Sequence, residues 1–170
     1  MGHFHPEREA KLLRKLTVNG VSLSQMPAQA DIIVSSPDST EVKLVVEAKL
    51  RTTDLPDAEH QLKNFMLQMR CPLGLLVSPQ RLWVYLDRLT SYSEDSIERL
   101  GDFDITGLIK LNSADANNAV NFENAVQAWL ENLSANVIRK PPSDPRLREV
   151  INHYVLPAVE TGIVRAAGPR

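Results

Sequence analysis

The chain has 170 residues, 43% of them hydrophobic and 24% charged, with 19 Lys and Arg against 21 Asp and Glu, a length suited to one domain that buries its own core. No run approaches the ~18 apolar residues of a membrane span, and the opening Met-Gly-His-Phe-His-Pro-Glu-Arg lacks an apolar signal segment. The single cysteine, Cys71, excludes an internal disulfide and fits a reducing cytoplasm, while a net charge of −2 carries no global mark of a nucleic-acid binder.

In chain order, residues 6–16 read as a helix, with Pro6 at its first position, Glu7 and Glu9 in its first turn, and Leu12, Leu13 and Leu16 as its apolar stripe. Two extended runs follow, Ala30 to Ser35 and Glu41 to Leu50, joined by the turn formers Ser36-Pro37-Asp38-Ser39-Thr40, which predicts a β-hairpin. Alternation in the second run places Val42, Leu44, Val46 and Ala48 on one face and Lys43, Val45, Glu47 and Lys49 on the other. Asp57 is the expected cap of a helix over about residues 58–70, buried through Ala58, Leu62, Phe65, Met66 and Met69 and ended by Pro72.

Leu73 to Val77 suits a buried strand and Arg81 to Leu89 a second one. A strand–helix–strand unit of this kind implies a parallel pair. Beyond Leu89 the chain reads as helices and loops. One helix carries Phe122, Val126, Trp129, Leu130 and Leu133, and another carries Leu147, Ile151 and Val155 with Asp144 as N-cap and Pro145 at its start. Arg139-Lys140-Pro141-Pro142 reads as a stiff linker between them. This predicts an α/β core over 1–90 and a helical extension over 91–170 that packs on the core or closes a dimer.

Charge is segregated along the chain. Residues 42–88 hold 7 basic and 5 acidic side chains, whereas residues 89–138 hold 2 and 8. A polyanion would meet the first segment, with the second facing away.

The residues that suggest chemistry lie on the hairpin. Glu47 and Lys49 share one strand face. A turn centred near position 38.5 sets strand partners summing to about 77, so Asp31 falls opposite Val46 or Glu47. Facing carboxylates with Cβ atoms ~5 Å apart repel each other and call for a cation, and a hard divalent ion such as Mg²⁺ takes oxygen ligands of this kind. Gln61 lies at the edge of the next helix's apolar face, and Glu9 points inward with its leucine stripe. Arg51 continues the face of Glu47 and Lys49. It is the first choice for a phosphate contact, followed by Lys63 and Lys11. His60, Trp83, Tyr85 and Cys71 read better as a solvent-side, two core and one inert side chain.

Asp31, then Glu47-Ala48-Lys49 after a hairpin, then a helix with Gln61-Leu62-x-x-Phe65, resembles the PD-(D/E)xK nuclease superfamily. The similarity is closest to the nuclease domains of type I restriction R subunits and their stand-alone relatives. The run from Gly74 through Val77 and Arg81 to Tyr85 resembles the strand pair of that group. Ala30 stands where the superfamily usually has Pro, Phe65 where Tyr is commoner, and the literal Pro37-Asp38 lies in the hairpin turn.

The resemblance implies a restriction-endonuclease-like mixed sheet flanked by helices, and a metal-dependent endonuclease acting on DNA, or an inactive module of that fold that binds nucleic acid or a protein. It implies Mg²⁺, replaceable by Mn²⁺, on Asp31, Glu47 and the Ala48 carbonyl, with Glu9 reaching the metal through water. Lys49 would orient the attacking water and Gln61 would position it or the DNA backbone. With no Gly-x-x-x-x-Gly-Lys-Ser/Thr motor motif, translocation would need a partner in a larger restriction or repair assembly.

Overall fold

The computed structural model describes residues 30–114, 116–135 and 142–167. The expected helix over 6–16 and most of the 139–142 linker lie outside them. The described chain forms one six-stranded mixed sheet in the order β5-β4-β3-β2-β1-β6, with helices on both faces.

The hairpin is present as β1 (Ile32–Ser35) and β2 (Val42–Ala48), paired antiparallel with Ile32 opposite Val46 and Val34 opposite Leu44. These pairs sum to 78 rather than 77, and the next step of that register sets Asp31 level with Glu47. At the far end of the hairpin the Asp38 carboxylate accepts from the Ser36 hydroxyl (2.6 Å) and from the Thr40 amide and hydroxyl. Asp38 is therefore committed to the turn. The register shifts between Val34 and Ser35, with Ser35 opposite Val42 and Lys43 left over. This bulge corrects one expectation: Val42 packs with Val45 on the face opposite Leu44 and Val46.

Helix α1 (Leu55–Met69) begins one turn earlier than Asp57 would set it, because Asp54 is the cap and its carboxylate accepts from the Asp57 amide at 3.1 Å. Pro56 supplies the fixed φ of a first turn. The helix stops at Arg70, which is left-handed at φ 50°. β3 (Leu73–Val77) then pairs parallel to β2, with Glu47 opposite Leu76 and Ala48 opposite Val77. β3 is buried on both faces, as its unbroken apolar run requires. β4 (Arg81–Asp87) returns antiparallel.

The segment past Leu89 departs from the helical expectation. A short 3₁₀ turn (Glu94–Ser96) leads into β5 (Ile97–Asp104) on one sheet edge, and β6 (Ile163–Ala166) pairs with β1 on the other. Both escape a sequence reading for physical reasons. β5 is an edge strand whose pattern alternates charged and apolar residues imperfectly around Gly101, and β6 has four residues.

Helix α2 (Ala119–Ser134) and the continuous helical run Pro145–Glu160 lie on the face opposite α1. In that run α3 (Pro145–Val150), capped by Asp144, passes through a π turn at Ile151–Val155 into α4 (Leu156–Glu160). Pro157 accounts for the π turn, since it has no N–H and its ring crowds the carbonyl four residues back. The apolar stripes of these helices are spent on the chain's own sheet: Leu147, Ile151, Val155 and Val159 are all buried beside Leu44, Val46 and Leu75. On the other face Ala58, Leu62, Phe65 and Met66 of α1 cover Val45, Leu76, Trp83 and Tyr85. The aromatic pair is core, as expected. No helix among the described residues is long and apolar enough to cross a membrane.

Gly162 lets α4 turn directly into β6. A Cβ there would lie 2.5 Å from Val34 Cγ1 and 2.7 Å from the Ala158 carbonyl oxygen, and backbone cannot yield as a flexible side chain can. We expect Gly162→Ala to destabilise the fold by about 1–3 kcal/mol, read as a lower midpoint in urea unfolding, with the loss of protection concentrated in β6 amides by hydrogen exchange.

Candidate active site

The parallel pairing of β2 and β3 brings their carboxyl ends to one end of the sheet, where α1 starts. Strand alternation then decides which side chains meet there. Ile32, Val46 and Ala48 face α2, so Asp31, Glu47 and Lys49 face α1. On the α1 side the sheet end thus carries two carboxylates and one ammonium, as the hairpin pattern predicts.

Three backbone or side-chain bonds lock Asp31. Its N–H donates to the Val46 carbonyl (3.2 Å), its carbonyl accepts from the Ala167 N–H (3.1 Å), and its Oδ2 accepts from the Ala48 N–H (2.8 Å). The carboxylate thus takes the place that a carbonyl of a longer β1 would fill. The Ala48 carbonyl leaves β2 on the same edge as that N–H, toward Asp31.

Glu47 is only 3% exposed. Its Oε1 lies 2.7 Å from Lys49 Nζ, while its Oε2 is buried with no hydrogen-bond partner within 3.5 Å among the described residues. Such an orphan is costly. Burial pushes the Glu47 pKa up, the Lys49 hydrogen bond and charge and the nearby Asp31 N–H pull it back, and the Asp31 charge pushes it up again, leaving it raised. Burial alone would lower the Lys49 pKa. The hydrogen bond that Lys49 donates to Glu47 and the charges of Glu47, Asp31 and Asp57 outweigh it, so Lys49 is held as a cation. Asp57 was expected only as a cap. Its charge reaches Lys49 because the first turn of α1 opens onto the end of β2.

Gln61 is half-buried one helical turn after Asp57, on the same side of α1. Arg51 is exposed in the loop after β2. Lys63 is not brought to this end: it pairs with Glu59 (3.4 Å) and sits 5.9 Å over the Tyr85 ring, toward β4. Glu9 and Lys11 lie outside the described residues. Among the described residues no three His, Cys, Asp or Glu side chains gather as a metal cage, so the donor set in view is two carboxylates and a carbonyl. That set suits Mg²⁺, which keeps several waters and needs one or two carboxylates, and the bare Glu47 Oε2 is the donor such an ion would take. Cys71 is buried, donates to the Leu73 carbonyl (3.2 Å) and has its thiol pushed up to about 12 by burial, which suits an inert side chain. His60 lies on the exposed side, between Glu94 and Asn64.

Compared with protein-family models, with curated proteins and with solved structures, the chain matches none.

The ion pair has a readable pH signature. The raised Lys49 pKa adds stability that is present below the ordinary lysine value and is lost as pH rises through the folded value. The raised Glu47 pKa acts in the same direction at lower pH: stability falls as pH climbs from the ordinary glutamate value through the folded one. Removing Lys49 leaves Glu47 buried without its cation. Lys49→Met should therefore raise the Glu47 pKa further, seen by carboxyl NMR titration. It should cost about 1–2 kcal/mol at pH 7, below the 3–5 of a fully buried pair because solvent screens a lysine 35% exposed. The cost should shrink at pH 4, where Glu47 is protonated in both proteins.

Proposed function

We propose that this chain is a metal-dependent nuclease that hydrolyses phosphodiester bonds in DNA, on a restriction-endonuclease-like α/β fold. The observation that carries the reading is the Glu47 carboxylate: buried, beside Asp31, held by Lys49 through one oxygen and without a hydrogen-bond partner among the described residues on the other. An orphaned anionic oxygen facing a second carboxylate is what a divalent cation would satisfy.

Asp31, Glu47 and the Ala48 carbonyl would hold Mg²⁺. When bound, it would lower the pKa of a coordinated water and offset charge developing on the phosphate. The chain's own groups would do the rest. The Ala48 N–H fixes the Asp31 carboxylate, so the two acids keep their separation without rearrangement. Lys49, kept protonated by Glu47, Asp31 and Asp57, offers a fixed positive charge where a pentacovalent phosphate would build negative charge. Gln61, an amide with both donor and acceptor, would orient the attacking water or a phosphate oxygen from α1.

The second reading is an inactive module of the same architecture that binds nucleic acid or a protein, and the count of only two carboxylates at the described site favours it. Supercoiled plasmid with Mg²⁺ or Mn²⁺ separates the two. The nuclease reading expects nicking by the wild type, reduced at least ~10²-fold in Asp31→Asn, Glu47→Gln and Lys49→Ala, a loss typical of removing transition-state electrostatics. It also expects Mn²⁺ binding, followed by electron paramagnetic resonance, to be lost in Glu47→Gln. Equal rates for the wild type and Lys49→Ala would sink the catalytic assignment.

A further inference from the structure

The sheet order brings a cation to this end of the molecule that no reading of the hairpin could place. Arg165 lies on β6 opposite Ile33 of β1. Its neighbour Val164 packs on the α2 face, whereas Ile33 and Ala167 pack on the α1 face. By alternation Arg165 therefore projects from the same face as Asp31, Glu47 and Lys49. The ladder continues past it, since the Ala167 N–H bonds to the Asp31 carbonyl, so Arg165 is the diagonal neighbour of Asp31 on that face.

Arg165 is half-buried, yet among the described residues no carboxylate lies within ion-pair distance of it. Most other cations close to the sheet have a carboxylate partner, Lys49 in Glu47, Lys63 and Arg99 in Glu59, Arg81 in Asp102 and Arg88 in Glu98, while Lys43 of β2 donates to the Thr161 hydroxyl. A partly desolvated guanidinium with no counter-charge among the described residues, set beside a site proposed for a polyanion, is suited to taking an anion.

We propose that Arg165 is a positioning residue that holds a phosphate flanking the scissile one. The inference rests on the nuclease reading of Asp31 and Glu47 and adds where the strand runs. β6 is two strands from β2, about 10 Å, which spans about three base steps of one DNA strand at ~3.4 Å each. Arg165 is thus too far to meet the phosphate at Glu47 and is placed for one up to about three steps along the same strand. Arg51, exposed beyond Lys49, takes the opposite flank. The DNA strand then crosses the sheet end from β6 over β1 to β2, and leaves the acidic β5 edge untouched.

The test is binding of a fluorescein-labelled DNA duplex, followed by anisotropy in Ca²⁺ over a range of salt, with Mn²⁺ affinity measured beside it. Arg165→Gln should weaken binding by about 5–10-fold and flatten the plot of log K against log salt by about 0.9, the loss of one phosphate contact. Arg165→Lys should restore the slope, and Arg146→Gln, on the exposed side of α3, should leave it unchanged. Mn²⁺ affinity should stay the same in Arg165→Gln.

An unchanged slope in Arg165→Gln, with wild-type cleavage present, would overturn the assignment of Arg165 and leave the nuclease reading standing. A flattened slope in a protein that never cleaves would uphold the phosphate contact of Arg165 but overturn its positioning role together with the nuclease reading. A changed Mn²⁺ affinity with an unchanged slope would make Arg165 a counter-ion of Asp31 and overturn the proposal. Absence of duplex binding by the wild type would overturn both.

Discussion

A carboxylate on the second strand in from a sheet edge, with its side chain under a helix, is the constraint around which this structure is arranged. Glu47 is held there with 3% of its surface open, between β1 and β3 and beneath α1. Leaving such a group alone would cost several kcal/mol. The nearest neighbours answer it: Lys49, two residues on and therefore on the same face, meets one oxygen. Asp31, level with it across the hairpin, adds a second negative charge instead of relieving the first. The arrangement is under-neutralised, and that imbalance is what supports the proposal of a site here over a core ion pair.

The rest of the fold keeps that imbalance in place. β2 is paired on both edges and covered on both faces, by α1 on the Glu47 side and by α2 with the Pro145–Glu160 run on the other. Its last residues cannot retreat from one another. α1 starts at the same end, so the Asp57 charge reaches Lys49 from above the sheet, with Gln61 one helical turn further on. The acidic stretch 89–138 is disposed of by topology. β5, which carries Glu98, Asp102 and Asp104, lies three strands away from β2, and Arg88 and Arg81 neutralise part of its charge. A net charge of −2 is consequently a poor guide to the field at the β1–β2–β6 end.

Much of this was legible from local pattern. The hairpin, the helix over α1, the buried run of β3 and the helical spacing of α2 follow from residue order, because period-2 and period-3.6 patterns and turn formers act over a few residues. The meeting of Asp31 with Glu47 was legible for the same reason: a short turn sets the register of its own strands. The bulge at Lys43 was not, since nothing in Val42-Lys43-Leu44 marks a skipped pairing. The choice of Asp54 over Asp57 as cap depended on where Leu55-Pro56 could enter the helix. β5 and β6 were missed because edge strands are short or half-polar and acquire their identity from the strand they join.

Residue order by itself determined the face of β2 on which Glu47 and Lys49 stand and the approximate level of Asp31, because alternation and hairpin closure are local. Tertiary structure alone decided how deeply Glu47 is buried, which of its oxygens is left bare, and that β6 returns to lie beside β1. Those outcomes depend on contacts between segments far apart in the chain, and no periodicity within either segment encodes them. Arg165 shows the difference most clearly. In sequence it is one basic residue near the end of a chain, and only the pairing of β6 with β1 makes it a neighbour of Asp31.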